Sequence, residues 1–378
     1  MKIPYGKQWI SDEDIKQVIE VLRSDYLTTG PVIPKFEDAF AKYVGSKYAV
    51  AVANGTAALH LAAQALGVQK GSEVVTTGMS FAATSNCVLY NSGIPVFADI
   101  TERGLIDPEE VRKAVNSSTT GIIPVHLMGL PCDLEEISNI AKENELFVIE
   151  DASHAIGAKY KGSSIGSCKY SDLTTFSFHP VKHVTTGEGG LISTNNKDLF
   201  EMLKTLRTHG ITKDQSKFKT KHNEPWFQEM QYLGFNYRLT EIQAALGLSQ
   251  LSRIDEFVKR RREIASLYSN FFESYNNQVE IIPEREDEFH SYHLYVIKLT
   301  DPKRRKIVFE SLVKKGIYCQ VHYIPIYWHP YYRESGYRDV QLPKTERFYE
   351  CILSLPMYPA LTDNALDFVF KTLKEVII

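Results

Sequence analysis

The sequence contains little of what marks a secreted, zinc-binding or membrane-spanning protein. Its 378 residues include five cysteines, which are widely spaced and form no C-x-x-C pair: Cys87, Cys132, Cys168, Cys319 and Cys351. This spacing argues against a disulfide framework and a zinc ribbon, and it favours buried thiols. The chain has no run of about 18 apolar residues, and polar sequence follows Met1 without the pattern of a signal peptide. We therefore expect a cytoplasmic protein with no membrane partner.

An excess of positive charge is also lacking. The net charge is -3 at pH 7, and the two basic runs, at 259–262 and 303–306, are short and lie near acidic residues. Such runs are typical of solvated helix faces, so we expect no nucleic-acid partner. Only His290 and His293 are close enough to suggest metal ligation, but their segment has the aromatic and polar pattern of a strand. We therefore predict no metal site.

The length of the chain predicts two domains. A chain of 378 residues exceeds what one hydrophobic core usually supports, and its apolar and charged fractions, 43% and 24%, are those of ordinary globular proteins. The hydrophobic pattern changes after Leu239, where short strands alternating with helices give way to longer helices. We therefore place a large domain at 1–255 and a small α+β domain at 256–378.

Short apolar runs alternate with helical stretches in the larger of these domains. A capping-box pattern at 11–14 predicts a first helix. Strands are predicted at 48–52, 73–77, 95–98, 120–124, 147–150 and 174–177, with helices such as 57–66, 108–115 and 133–144 between them. This alternation predicts an α/β fold with a mostly parallel sheet covered by helices on both faces. In such sheets ligands bind beyond the carboxyl ends of the strands.

The pattern beyond Leu239 predicts one long amphipathic helix, from Thr240 to about Leu267. After it, strands are predicted at 278–282, 292–299 and 318–321, and helices at 304–315, 345–351 and 363–376. Helices and strands no longer alternate regularly there, which is why the second domain is assigned to the α+β class.

Two segments at predicted strand ends have the residues of a binding site. The turn at 54–57 (Asn-Gly-Thr-Ala) lies between a strand and a helix, so its backbone N–H groups and the helix dipole would attract a phosphate. An ordinary turn with a capping residue is the alternative. The strand 147–150 is followed by Asp151, whose carboxylate could pair with a protonated pyridine nitrogen or cap a helix.

A third segment, 174–190, contains one lysine between a predicted strand and a cluster of glycines. This residue, Lys182, is surrounded in sequence by uncharged residues, which is unusual for a solvated surface lysine. A desolvated lysine loses proton affinity and becomes nucleophilic enough to form a Schiff base, and glycines let the backbone approach a planar ring. Ser177 offers a hydroxyl group to a phosphate oxygen. The segment therefore predicts a covalent catalytic lysine.

Taken together, these segments resemble the DegT/DnrJ/EryC1/StrS sugar aminotransferases. The resemblance covers nearly the whole chain and includes Asn-Gly-Thr, Glu-Asp-Ala-Ser-His, Phe-Ser-Phe-His-x-x-Lys, Thr-Thr-Gly-Glu-Gly-Gly and Gly-Phe-Asn-Tyr-Arg-Leu-Thr-Glu. It implies a fold type I enzyme that uses pyridoxal 5'-phosphate, which becomes pyridoxamine 5'-phosphate during turnover. It also implies a three-layer large domain, a small C-terminal domain, and a homodimer with shared active sites.

The same resemblance implies a role for individual residues. Lys182 would be the catalytic residue and form the Schiff base, and Asp151 would pair with the ring nitrogen. His154 would lie beside the ring, and Phe81 would stack on it. Asn236 would reach the phosphate bound by the partner subunit. Three further residues would hold the phosphate of their own subunit: Thr56, Ala57 and Ser177.

The segment 319–332 is most similar to the branch of this family that contributes to pseudaminic acid biosynthesis. That similarity implies transfer of an amino group from L-glutamate to C4 of a UDP-linked 4-keto-6-deoxy-N-acetylhexosamine. The residues near the nucleotide sugar would come from three parts of the chain: Tyr5; Asp25, Tyr26, Leu27 and Thr28; and Gln320, Val321, His322 and Tyr323.

Three alternatives stay open at this point. The acceptor could be another nucleotide-linked 4-keto sugar, of the perosamine or TDP-sugar type. The protein could be a sugar dehydratase of the same superfamily that keeps pyridoxamine phosphate and has histidine in place of the lysine; Lys182 argues against this, although His183 is adjacent. It could be a non-catalytic ligand-binding regulator, but the DNA-binding extension that such proteins usually carry is not visible in the sequence.

Overall fold

The structure is a computed structural model that describes residues 1–377. The α-helices of this range are α1 (Asp12–Leu22), α2 (Val32–Val44), α3 (Gly55–Ala65), α4 (Ala83–Tyr90), α5 (Pro108–Ala114), α6 (Leu134–Glu143), α7 (Lys197–Leu206), α8 (Glu241–Leu251), α9 (Ile254–Phe272), α10 (Arg304–Lys314), α11 (Pro330–Tyr332), α12 (Pro343–Cys351) and α13 (Asp363–Ile377). The strands are β1 (Tyr48–Val52), β2 (Glu73–Thr77), β3 (Ile94–Ala98), β4 (Thr119–Ile123), β5 (Phe147–Asp151), β6 (Lys159–Tyr160), β7 (Ser163–Ser164), β8 (Leu173–Ser177), β9 (Gly190–Thr194), β10 (Ile211–Thr212), β11 (Glu229–Met230), β12 (Val279–Ile281), β13 (Glu288–Phe289), β14 (Tyr295–Leu299) and β15 (Ile352–Leu355). Within these residues, no helix combines the length and apolarity needed to cross a bilayer.

A seven-stranded sheet forms the centre of the molecule, in the order β1-β9-β8-β5-β4-β2-β3. The pairs from β8 through β5, β4 and β2 to β3 are parallel. Strand β9 is antiparallel to both of its neighbours, β1 and β8, so β1 runs in the same direction as the rest. Six strands therefore end at the same edge of the sheet. The predicted α/β fold with a mostly parallel sheet is confirmed.

The two faces of this sheet are covered by different helices. Successive strand residues point to opposite faces. Val75 belongs to an apolar cluster with side chains of α2 and α6, whereas its neighbour Val74 belongs to a second cluster with side chains of α3, α4 and α7. Strand residues of β1, β4 and β5 are divided between the clusters in the same way. The result is the predicted three-layer arrangement of helices, sheet and helices.

The C-terminal part of the chain has its own apolar cluster, built on the antiparallel sheet β12-β14-β15 and the helices α9, α10 and α13. The N-terminus joins this cluster through Ile3, which forms a parallel β-bridge with Ile317. Helix α9 serves both parts, because Val258 packs into the core of the large sheet and Tyr268 into the C-terminal cluster. A domain boundary at residue 255 stays a prediction.

Most predicted elements are present within one or two residues, and α1 begins with the predicted capping box at Ser11. The predicted long helix from Thr240 is instead two helices, α8 and α9. Between them the Ser252 hydroxyl donates to the Ser249 carbonyl at 2.7 Å, and Arg253 leaves helical geometry with φ -107° and ψ 6°. The predicted strand 318–321 is wrong, since that segment forms only a β-bridge from Gln320 to Ser354.

Candidate active site

A cavity of about 710 Å³ lies at the carboxyl ends of the parallel strands. Its lining comes from the segments that follow β1, β2, β5 and β8, together with residues near the N-terminus and around position 322. Parallel strands bring these segments together because their carboxyl ends share one edge. Ten of the residues predicted for the site line this cavity: Tyr5, Thr56, Ala57, Phe81, Asp151, His154, Ser177, Lys182, His322 and Tyr323.

The start of α3 is built to hold an anion. Asn54 caps the helix, with its Oδ1 accepting from the Ala57 N–H at 2.8 Å. A Cβ on Gly55 would lie 2.9 Å from the Ser177 Cβ, and one on Gly190 would lie 2.4 Å from the Asn54 carbonyl oxygen. Glycine at both positions therefore allows the Ser177 hydroxyl to approach the helix N-terminus. Backbone N–H groups, the helix dipole and a hydroxyl group together form a cradle suited to phosphate.

The Asp151 carboxylate lies at the end of β5, and its residue is 5% exposed. One oxygen, Oδ1, accepts from both the backbone N–H and the hydroxyl of Ser153, at 3.1 and 2.7 Å. The other, Oδ2, accepts from the Thr84 hydroxyl at 2.6 Å. No lysine, arginine or histidine of the described residues forms a salt bridge with it. Its negative charge is thus free to pair with a cationic ligand atom in the cavity.

The Lys182 side chain lines the cavity in a turn after β8, where its backbone N–H donates to the His179 carbonyl at 2.8 Å. Desolvation by the surrounding protein lowers the pKa of the Lys182 amine to about 8, and the negative charge of Asp151 opposes that shift in part. A lysine with a pKa near neutrality has a substantial fraction of neutral amine, which is the nucleophilic and basic form. The adjacent His183 instead points into the core, where its Nε2–H donates to the Ser291 carbonyl at 2.9 Å.

His154 is buried beside Lys182 and is connected to the C-terminal segment. Its Nδ1 accepts from the Met128 N–H at 3.3 Å, so the ring hydrogen lies on Nε2. This Nε2–H is 3.2 Å from the Tyr323 hydroxyl oxygen. Desolvation, with a contribution from Lys182, holds the pKa of His154 well below its usual range, so the ring is neutral. Tyr323 therefore accepts from His154 and retains its own O–H for a ligand.

Three further aromatic side chains line the cavity near Tyr323: Tyr5, His322 and Phe81. The His322 ring lies 5.5 Å from the Tyr5 ring, and its Nδ1 is 2.8 Å from the Ser354 hydroxyl. Desolvation and then Lys182 lower the pKa of His322 to about 4, which makes it neutral at pH 7. Phe81 is 61% exposed, and its ring lies 6.0 Å from that of Tyr323. This exposed ring is available to stack on a planar ligand.

Seven predicted site residues lie outside the cavity lining: Asp25, Tyr26, Leu27, Thr28, Asn236, Gln320 and Val321. Thr28 forms a β-bridge with Thr240 at the start of α8, and the exposed Asn236 forms one with Thr208. Gln320 pairs with Ser354, and Val321 packs against the apolar clusters. Their roles stay predictions.

Sequence reasoning missed several residues of the site. Ser80, Tyr90, Ser153, Glu188 and Tyr237 line the cavity. Ser153 could have been found, because it lies two residues after a candidate carboxylate, the spacing of an Asx-turn. Tyr90 had no such signal, since it is the last residue of α4 and reaches the cavity only through helix packing. Thr84 does not line the cavity, and only its hydrogen bond to Asp151 shows that it belongs to the site.

The cavity fits a phosphorylated pyridine aldehyde. The glycine-lined cradle suits the phosphate, Asp151 suits a protonated ring nitrogen, Phe81 suits the ring face, and the Lys182 amine suits the aldehyde carbon. These features and the seven-stranded sheet define the class of pyridoxal-phosphate-dependent aminotransferases, the class to which the similar solved structures also belong. Within it, residues 8–374 match the model of the DegT/DnrJ/EryC1/StrS aminotransferase family, and the chain belongs to that family.

Comparison with known proteins shows which relatives are similar. A Campylobacter jejuni protein named UDP-4-amino-4,6-dideoxy-N-acetyl-beta-L-altrosamine transaminase is 38% identical over 380 residues, covering 99% of this chain and 97% of that protein. The Bacillus subtilis spore coat polysaccharide biosynthesis protein SpsC is 37% identical with the same coverage. Among solved structures, Helicobacter pylori PseC, an aminotransferase of pseudaminic acid biosynthesis, has a TM-score of 0.93 at 32% identity and covers 100% of this chain and 99% of its own. A second solved structure is the PLP form of a Streptococcus pneumoniae protein named putative sugar aminotransferase Spr1654. It has a TM-score of 0.92 at 28% identity, and the match covers 100% of this chain and 99% of that chain.

The lowered pKa of Lys182 can be tested in the cofactor-free protein. Competitive acetylation, followed by mass spectrometry of the peptide that contains Lys182, should give a reactivity midpoint near pH 8 rather than near the ordinary value of 10.5. Asp151→Asn should move the midpoint lower still, because the carboxylate charge stabilises the ammonium form. A midpoint close to the ordinary lysine value would show that the amine is solvated.

Proposed function

We propose that this aminotransferase moves an amino group from L-glutamate to C4 of a UDP-linked 4-keto-6-deoxy-N-acetylhexosamine, giving a 4-amino sugar for pseudaminic acid-type glycans. The observation that supports this proposal most is the Lys182 amine, which has a lowered pKa and lines the same cavity as the Asp151 carboxylate. The sequence similarity to the Campylobacter jejuni transaminase supports the choice of sugar. We also propose that the protein is cytoplasmic.

The residues of the cavity suggest how the cofactor would be held. Thr56, Ala57 and Ser177 would bind its phosphate, and Asp151 would bind its ring nitrogen. Phe81 would cover one face of the ring, with His154 beside the ring. Bound pyridoxal phosphate supplies an electron-withdrawing ring that stabilises negative charge at the reacting carbon, and as pyridoxamine phosphate it carries the amino group between the two substrates.

Lys182 is the group that would move protons. As a neutral amine it can take the proton from the α-carbon of glutamate, and as an ammonium group it can give a proton to C4 of the sugar. A pKa of about 8 allows both forms near pH 7, which suits a group that acts alternately as base and acid. The neighbouring rings of His154 and His322 are held neutral, so they do not compete for this role.

The sugar would bind near Tyr5, His322 and Tyr323. These side chains line one wall of the cavity and offer uncharged hydrogen-bonding groups. Burial raises the pKa of Tyr323, so its hydroxyl keeps its hydrogen and can donate to a sugar oxygen. Neutral donors suit a hydroxylated ring whose charge is confined to the diphosphate. Asp25, Tyr26, Leu27, Thr28, Gln320 and Val321 would surround this region in the assembled dimer.

Amination of a different nucleotide-linked keto sugar is the second candidate, because the similarity to SpsC is nearly as high as that to the Campylobacter protein. Product analysis with UDP-linked and TDP-linked 4-keto sugars distinguishes the two. A dehydratase is disfavoured by the position of His183, whose ring is buried and bonded to Ser291, while Lys182 lies in the cavity.

Chemical trapping of the bound cofactor gives a direct test of the proposed role of Lys182. Borohydride reduction of the cofactor-loaded protein should attach the pyridoxyl group to Lys182, because its amine lines the cavity and has a pKa lowered to about 8, so that part of it is neutral near pH 7. Lys182→Ala should lower turnover by more than about a thousandfold without unfolding the protein, since it removes both the covalent anchor and the proton carrier. Peptide mapping locates the adduct, and the Lys182→Ala protein is its control. An adduct on another lysine would contradict the assignment.

A second prediction concerns the proposed dimer with shared sites. Asn236 is exposed and outside its own cavity, and the apolar side chains of Ile15, Leu22 and Tyr26 are also exposed, as expected for a surface that a second subunit covers. If Asn236 acts on the partner's site, a heterodimer of Lys182→Ala and Asn236→Ala chains has one site with neither defect. Tagged and purified heterodimers should regain about half of the wild-type activity. Inactive heterodimers would place Asn236 in the site of its own chain.

A third prediction separates the two half-reactions. His322→Ala and Tyr323→Phe should slow the sugar half-reaction by about tenfold or more and the glutamate half-reaction by less than about threefold, because only the first uses the sugar contacts. Stopped-flow absorbance follows each half-reaction. Tyr331→Phe is the matched control, since this tyrosine of the same segment is 64% exposed and does not line the cavity. Equal slowing of both half-reactions would assign these residues to structure.

A further inference from the structure

Two hydroxyl groups, those of Ser80 and Thr84, form a chain that ends at the Asp151 carboxylate. Oδ2 of Asp151 is 2.6 Å from the Thr84 hydroxyl, which is itself 2.7 Å from the Ser80 hydroxyl. Thr84 is fully buried, and Ser80 and Asp151 are 3% and 5% exposed. Oδ1 is separately bonded by the hydroxyl and backbone N–H of Ser153. The carboxylate is therefore held by neutral donors on both oxygens.

The direction of each bond in this chain follows from the chemistry of its end. An ionised carboxylate only accepts hydrogen bonds, so Thr84 must use its single hydroxyl hydrogen for Asp151. The Thr84 oxygen then accepts from Ser80, which must be the donor. Thr84 is also held by its backbone, whose N–H donates to the Phe81 carbonyl at 3.2 Å. The segment 80–84 thus fixes the orientation of Asp151 and at the same time carries Phe81 into the cavity.

We propose that Thr84, oriented by Ser80, is a positioning residue for Asp151. Its hydroxyl holds Oδ2 of Asp151 in place and so orients the carboxylate toward the cofactor's ring nitrogen. This orientation keeps that nitrogen protonated. This inference rests on the proposed function, in which Asp151 pairs with that nitrogen. Loss of the Thr84 hydroxyl would leave Oδ2 without its donor in a buried position, where an unpaired charged acceptor is costly.

The test compares Thr84→Val, which keeps the shape and removes the hydroxyl, with Thr84→Ser, which keeps the hydroxyl. The holoenzymes are reconstituted with pyridoxal phosphate labelled with ¹⁵N in the ring, and nitrogen NMR reports protonation of the ring nitrogen. We expect Thr84→Val to shift the signal toward the unprotonated position and to raise the cofactor dissociation constant by about ten- to a hundredfold, the range for one hydrogen bond to a charged group. Thr84→Ser should restore both toward wild type.

Thr76→Val is the matched control. Thr76 is also fully buried, but its hydroxyl donates to the Ile123 carbonyl at 2.8 Å and does not contact Asp151. Its loss should leave the nitrogen signal unchanged, whatever it does to stability. If Thr84→Val does not fold, Ser80→Ala replaces it, with a smaller shift in the same direction expected because only the orientation of Thr84 is lost.

The outcomes distinguish the inference from the function on which it rests. A wild-type protein that shows no borohydride adduct on Lys182 would reject the proposed function itself. An adduct in the wild type, with the same nitrogen signal and cofactor affinity in Thr84→Val and Thr84→Ser, would overturn the role of Thr84 and leave the function standing. A shift in Thr76→Val as large as that in Thr84→Val would also overturn it, because the effect would then follow from any buried hydroxyl.

Discussion

The common direction of β1, β2, β5 and β8 is the constraint on which the rest of the site depends. Each of these strands ends at one edge of the sheet and releases a few residues there: the cap of α3, the segment with Phe81, the Asp151 carboxylate, and the turn with Lys182. If one of these strands ran the other way, the group that follows it would lie at the opposite edge of the sheet. Strand β9 does run the other way, and it instead brings Gly190 against Asn54 to close the cradle.

Desolvation divides the ionisable groups of this cavity into two kinds. It lowers the pKa of Lys182 only to about 8, because the charge of Asp151 opposes the shift, so the amine can change its charge near neutral pH. The imidazoles of His154 and His322 have no such carboxylate beside them, and their pKa values are lowered far enough to keep them neutral. In the proposed function proton transfer belongs to Lys182 alone. The neutral histidines are hydrogen-bonding groups, and the Met128 N–H sets the tautomer of His154.

The parts of the fold and site that the sequence predicted are those with local signals. Strands of the parallel sheet appear as short apolar runs, and the candidate residues Asp151 and Lys182 follow directly after such runs. The parts that were missed depend on contacts between distant residues. The bond from Thr84 to Asp151 spans 67 positions and that from His154 to Tyr323 spans 169. Strand β9 contains Gly190 and runs antiparallel to both of its neighbours. Its sequence has no pattern that reveals this orientation. The break between α8 and α9 was missed because the apolar spacing continues across it.

The contact between His154 and Tyr323 joins two parts of the cavity that the ribosome synthesises at different times. The cradle, the carboxylate and the lysine are all encoded before residue 191, whereas the wall that contains His322 and Tyr323 is held by Ser354, close to the end of the described chain. At typical rates of 5–20 residues per second, roughly 10–30 s of synthesis separate the two. During that interval a nascent chain has the groups that would bind the cofactor but lacks the side of the cavity formed by His322 and Tyr323. The wall that contains His322 and Tyr323 is therefore added to the cavity after the sheet that carries the lysine.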